Sequence, residues 1–290
     1  MNQSARLSFG WCQGVPDFRD YTLDTAAGLE LLQPLSASQK PPATRVDLRE
    51  YFPAAFDQQE LSASPAHACA GLVEYFDRRA LGRTTPLSRL FLLQSTQKLY
   101  GRETREDTDL RTTLKSIRRF GLPPERYWPY ELECAGTEPG AHLYAFAERY
   151  RDLRYVRLDS PPASGSKTLE RVKAFLAAGF PCVFGFPIPS SASQAADFLY
   201  RPTFDSVVGG QAVVAAGYDD RRLHASRGAL LVRNSWGSRW GEEGYGWLPY
   251  TFVRKRLAVE FWTVLRPDWL ASEEFGRPHV LALNGKMARR

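Results

Sequence analysis

The chain has 290 residues, 43% apolar and 24% charged, which excludes a disordered, collagenous or coiled-coil protein. Its longest apolar runs, such as Ala212 to Ala216, are too short to cross a bilayer, so no membrane partner is expected. The net charge of +6 comes from seven lysines and 31 arginines set against 32 acidic residues, and the arginines are scattered rather than gathered on an aromatic-lined stripe. Diffuse solvation is the expectation, and nucleic acid is not an expected partner.

Met1 to Phe9 carries one cation and no apolar stretch, so no secretory signal is expected and the cytoplasm is the default compartment. Residues 1–44 read as an N-terminal arm and linker, with Pro, Gly and Ser clusters around Leu29 to Leu35. From Arg45 the apolar spacing turns helical, through Ala68, Leu72 and Phe76, then Leu90, Leu93 and Leu99, then Leu110, Leu114 and Ile117. Gly82, Gly101 and Gly121 stand where these three helices should stop. A proline-rich stretch around Trp128-Pro129-Tyr130 closes a helical half, 45–130.

The second half, 131–265, reads as strands: Tyr155 to Leu158, Cys182 to Phe186, Gln211 to Tyr218, Ala229 to Arg233, Tyr245 to Leu248 and Leu257 to Val264. One helix, Leu169 to Ala178, interrupts them, and Pro187 to Gly210 reads as a long serine-rich loop. Residues 266–290 read as an irregular tail. Helices first and strands later predict an α+β protein. Cys12, Cys69, Cys134 and Cys182 form no CxxC or Cys/His cluster, so free thiols are expected, with no metal and no cofactor.

Two stretches carry a pattern. One is Val46-Asp47-Leu48-Arg49, then Asp57-Gln58 and the helix start at Ser64. The other is Gly209-Gly210-Gln211, Gly217-Tyr218-Asp219-Asp220, Arg233-Asn234-Ser235-Trp236-Gly237 and Trp240-Gly241-Glu242-Glu243-Gly244-Tyr245. Together these resemble the papain-like cysteine peptidases in a bacterial form, and Gly10-Trp11 to Tyr21 is similar to the N-terminal arm of that form. The resemblance implies a helical half and an antiparallel, barrel-like β half with a cleft between them.

In that family a glutamine six residues before the cysteine helps to form the oxyanion hole. The cysteine opens the long helix, a histidine after a Gly-Gly pair takes its proton, and the asparagine of Asn-Ser-Trp-Gly orients the histidine. Gln58 and Asn234 match the supporting positions, while the reacting positions hold Ser64 and Gln211. A serine hydroxyl needs a base, and the Gln211 amide has no proton to exchange near neutrality. Loss of general-base help alone removes about 10²- to 10⁴-fold in rate.

No catalytic residue is therefore expected. The resemblance implies a pseudo-peptidase whose cleft, lined by Gln58, Ser64, Asp107, Asp109, Gly210, Gln211, Asn234 and Trp236, binds a peptide or protein partner, such as an active relative. The alternative is a hydrolase or acyltransferase of altered chemistry that uses Ser64. Four local readings accompany this one. Ser64-Pro65 reads as an N-cap with a first-turn proline. His67 reads as a core histidine and Cys69 as a core thiol. Gln211 is placed to bond Asn234 or Ser64. Glu106 to Arg111, which lacks glycine, either narrows the groove with acidic side chains or simply starts a helix. His224 reads as remote in a hairpin, and no motif surrounds His142 or His279.

Overall fold

The computed structural model describes residues 8–25, 43–101, 106–194, 196–201, 203–223, 227–272 and 274–275. The three expected helices are α1 (Ser64–Leu81), α2 (Arg89–Leu99) and α3 (Leu110–Phe120). α1 ends at Gly82 with φ 68°, and α3 at Gly121 with φ 80°. Gly121 is required twice over, because a Cβ there would lie 1.8 Å from the Ala147 carbonyl oxygen. Ser88 caps α2 by accepting from the Phe91 N–H, and Asp109 caps α3 by accepting from the Thr112 N–H. Shorter helices follow: α4 (Ala141–Phe146), α5 (Gly165–Ala177), α6 (Tyr250–Arg254) and α7 (Pro267–Ala271).

α1 is buried on nearly every face, and it carries an ion pair into the core. Glu74 meets Arg89 of α2 with both oxygens at 2.6 Å, and both side chains are fully buried. Leu87 N–H also donates to Glu74, and the Arg89 guanidinium lies over the Phe56 ring. The pairing satisfies two charges that would each be costly alone.

The strands are β1 (Tyr21–Thr22), β2 (Arg45–Asp47), β3 (Arg154–Arg157), β4 (Cys182–Pro189), β5 (Val207–Asp219), β6 (Ala229–Arg233), β7 (Tyr245–Pro249) and β8 (Val259–Leu265). They form one sheet in the order β1-β3-β8-β4-β5-β6-β7, with β2 also paired to β5. All pairs are antiparallel except β1 with β3. The α+β class holds, but the sheet is open and not the expected barrel. Its two ends do not meet. β1 is only two residues long, and the edge of β7 is covered by Ala196 to Phe198, whose backbone exchanges hydrogen bonds with Trp247.

Three boundaries differ from expectation. β4 and β5 pair on through Pro187↔Gly210 and Ile188↔Gly209, so the loop between them shrinks to 190–206; prolines and glycines hid this extension. α5 starts at Gly165, four residues early, because Ser164 accepts from the Lys167 N–H and caps it. The tail is not wholly irregular. α7 docks Trp269 flat on Phe76 of α1 at 4.9 Å, with its indole N–H donating to Asp77. Among the described residues no helix is long and apolar enough to cross a membrane.

Candidate active-site cleft

The first turn of α1 faces the outer half of β5, and this brings four distant residues together. Gln211 lies on β5, Asn234 just beyond β6, and Gln58 on the segment leading to α1. The Gln211 amide nitrogen lies 2.8 Å from Asn234 Oδ1, 3.1 Å from Gln58 Oε1 and 3.1 Å from Ser235 Oγ. Ser235 Oγ in turn donates to Gln58 Oε1 at 2.5 Å. The result is a neutral, buried amide network in which no member carries charge. Asn234 is the Gln211 partner realised. The Gln211 carbonyl oxygen and the Asn234 amide nitrogen are left without partners among the described residues.

Ser64 does not cap the helix as its sequence context predicts. Ala63 is the N-cap and Ser64 the first helical residue, so its side chain points away from the helix's free N–H groups. The Ser64 hydroxyl oxygen instead accepts from the Ala212 backbone N–H at 3.1 Å, which ties α1 to β5.

The N-terminal arm lies in the cleft between the helices and the sheet. The Phe9 carbonyl oxygen accepts from Gln58 Nε2 at 2.6 Å and from the Ser64 backbone N–H at 3.4 Å. A side-chain amide and a helix N-terminus thus converge on one carbonyl, the arrangement that stabilises a developing oxyanion. The next residues bridge both walls. Trp11 N–H donates to Gly210 O, Cys12 N–H to Thr108 O, and Thr108 N–H to Gly10 O. Trp236 donates its indole N–H to Ser8 O and packs edge-on to Phe9. With the arm seated, Gln58, Ser64 and Gln211 are fully buried and Asn234 nearly so, in place of an exposed cleft.

Close approach of the arm depends on missing side chains. A Cβ on Gly185 would lie 1.9 Å from the Trp11 ring, and one on Gly210 2.2 Å from the Trp11 carbonyl oxygen. Of the expected rim residues, Asp107 is exposed, whereas Asp109 is turned inward as the α3 cap and bonds the Tyr100 hydroxyl. Asp109 therefore starts the helix, and the contact with the arm is made by the Thr108 backbone.

The titratable groups nearby offer no base to Ser64. His67 is buried and donates one bond, from Nδ1–H to Ala63 O at 3.1 Å. Burial, with help from the Arg89 charge, pushes its pKa down to about 3, so the ring is neutral. Cys69 is buried, and burial pushes its thiol well above the ordinary range. Both are core residues, as expected. His142 is exposed and lies edge-on to Phe146. His224 and His279 lie outside the described residues. Among the described residues no group of His, Cys, Asp and Glu could hold a metal.

A profile described as "Papain family cysteine protease" matches residues 105–254, just over half of the chain and spanning Gln211 and Asn234. The chain belongs to the papain family. It is similar to an uncharacterized peptidase C1-like protein of Acanthamoeba polyphaga mimivirus, 28% identical over 274 residues that cover 89% of this chain and 86% of that one. Among solved structures it is similar to xylellain, a cysteine protease from Xylella fastidiosa, at 24% identity and TM-score 0.72, covering 92% of this chain and 99% of that one. It is also similar to digestive procathepsin L 3 of Tenebrio molitor, at 21% identity and TM-score 0.61, covering 81% and 74%. These structures share the papain-like fold.

Two members of this cleft were not among the expected site residues. Ser235, although it lies within Asn-Ser-Trp-Gly, closes the amide network. Glu260 of β8 receives the Trp11 indole N–H, and nothing in its local sequence points to the arm.

Proposed function

We propose that this papain-family chain does not cleave peptides and that its cleft is a binding groove for an extended segment of a peptide or protein partner. The observation that carries this reading is the state of Ser64. Its oxygen is occupied by the Ala212 N–H, and the residue opposite is a glutamine whose amide is spent on Gln58, Asn234 and Ser235. Neither a thiolate nor an imidazole faces the carbonyl site. What remains is the binding half of a peptidase, with backbone donors and acceptors on both walls and two donors for one carbonyl. The arm occupies this groove as a resident ligand, and a partner would take its place.

The second reading is a hydrolase or acyltransferase using Ser64, and the retained carbonyl cradle favours it. It lacks a base, and a carbonyl cradle alone gives only a small part of the acceleration of a full dyad. The test is incubation of the full chain, and of a Trp11→Ala variant with a loosened arm, with a peptide mixture and with a serine-directed acylating probe. No cleavage and no Ser64 adduct in either protein supports the binding module. Cleavage that disappears in Ser64→Ala would overturn it.

A further inference from the structure

Away from the amide network, the arm meets α3 and β3 around an open cavity of about 390 Å³. Five cations line it, Arg19 from the arm and Arg111, Lys115, Arg118 and Arg119 from α3, against one lining carboxylate, Asp20. Arg111, Lys115 and Arg118 are spaced i, i+4 and i+7, so the helix presents them on one face.

Two of the five are already compensated. Arg111 reaches Asp20 at 2.6 Å and Asp17 at 2.7 Å, and Arg19 reaches Asp17 at 2.6 Å. Lys115, Arg118 and Arg119 are exposed and take part in no salt bridge among the described residues. Three like charges line the same cavity, and its lining carboxylate, Asp20, is already paired with Arg111. Tyr155 and Tyr21 add phenol groups to the wall.

We propose that this cavity binds a small anion carrying two or more phosphoryl groups. Phosphoryl oxygens match the guanidinium fork of Arg118 and Arg119, and Lys115 adds a point charge to the same group. An open cavity of this volume suits a compact anion. The site is separate from the groove residues Gln58, Ser64, Gln211 and Asn234, and it does not rest on their being inactive.

The test is calorimetric titration of the full chain at low salt with inorganic pyrophosphate, tripolyphosphate and citrate. The expected result is saturable one-to-one binding, tighter for tripolyphosphate than for pyrophosphate and weaker for citrate. A Lys115→Ser/Arg118→Ser variant should bind at least tenfold more weakly. An Arg83→Ser/Arg126→Ser variant loses the same charge at exposed positions elsewhere and should bind as wild type. Absence of saturable binding, equal losses in both variants, or citrate binding as tightly as tripolyphosphate would each overturn the proposal.

Discussion

The indole N–H of Trp11 donates to Glu260 Oε2 at 2.9 Å, joining the arm to the strand that follows α6 across 249 residues of chain. The carboxyl is almost fully buried between arm, α3 and sheet. Asp109 faces it from α3, Arg157 from β3 and Cys69 from α1, the Gly14 N–H donates to it from the arm, and Asp159 accepts from the Glu260 backbone N–H. Burial, followed by the Asp109 charge, raises its pKa from 4.5 to about 7.

A pH dependence follows from that shift. The folded, arm-seated state holds the Glu260 proton more tightly than the unfolded chain does, so its contribution is complete below about pH 4.5 and is lost as pH rises through about 7. The loss amounts to about 3 kcal/mol. Glu260→Gln keeps an oxygen for the indole and should remove this slope. Urea unfolding of both proteins between pH 5 and 8 checks it; parallel curves would exclude the effect.

His67 acts in the opposite direction. Its folded pKa of about 3 lies below the ordinary 6.5, so the fold loses stability as pH falls from 6.5 toward 3. The full span is worth about 5 kcal/mol. His67→Leu should flatten the acid limb of the stability curve. Between pH 4.5 and 6.5 the two residues oppose each other, so single variants are needed to see either.

Gly185→Ala is expected to unseat the arm without disturbing β4, because the new methyl group meets the Trp11 ring and not the sheet. The readout is limited proteolysis near Trp11, with cleavage faster by tenfold or more and the thermal midpoint of the remaining domain within a few degrees of wild type. An unchanged rate would mean that the arm is not held by Trp11.

Ser64→Cys with Gln211→His rebuilds a thiol and imidazole across the same gap, and Asn234 Oδ1 stands ready to accept from the ring. In a Gly185→Ala background, where the arm is unseated, the double variant should alkylate with iodoacetamide at pH 6 at least 10-fold faster than Ser64→Cys, because a nearby imidazolium favours the thiolate. With the arm seated the gain should be small. Equal alkylation rates in the Gly185→Ala background would show that the side chains at 64 and 211 do not meet.

Much of this was legible in the chain itself. Helix stops at Gly82 and Gly121 follow from the conformation only glycine adopts freely, and the convergence of Gln58, Ser64, Gln211 and Asn234 follows from the resemblance. What sequence missed has a shared cause. The Ser64 oxygen and the Glu260 carboxyl are both decided by partners more than a hundred residues away. Local propensity carries no information about such contacts. The open sheet was missed similarly, since strand runs reveal pairing partners but not whether the two ends meet.

The arm is fastened at both ends of its path, at the groove by Gly10 to Cys12 and at the sheet by the pairing of β1 with β3. Only a short stretch of chain lies between, so a segment that slips out of the groove stays beside it at an effective concentration on the order of millimolar. If the groove binds peptides as proposed, a visiting peptide must outcompete that tethered rival, so weak ligands are excluded.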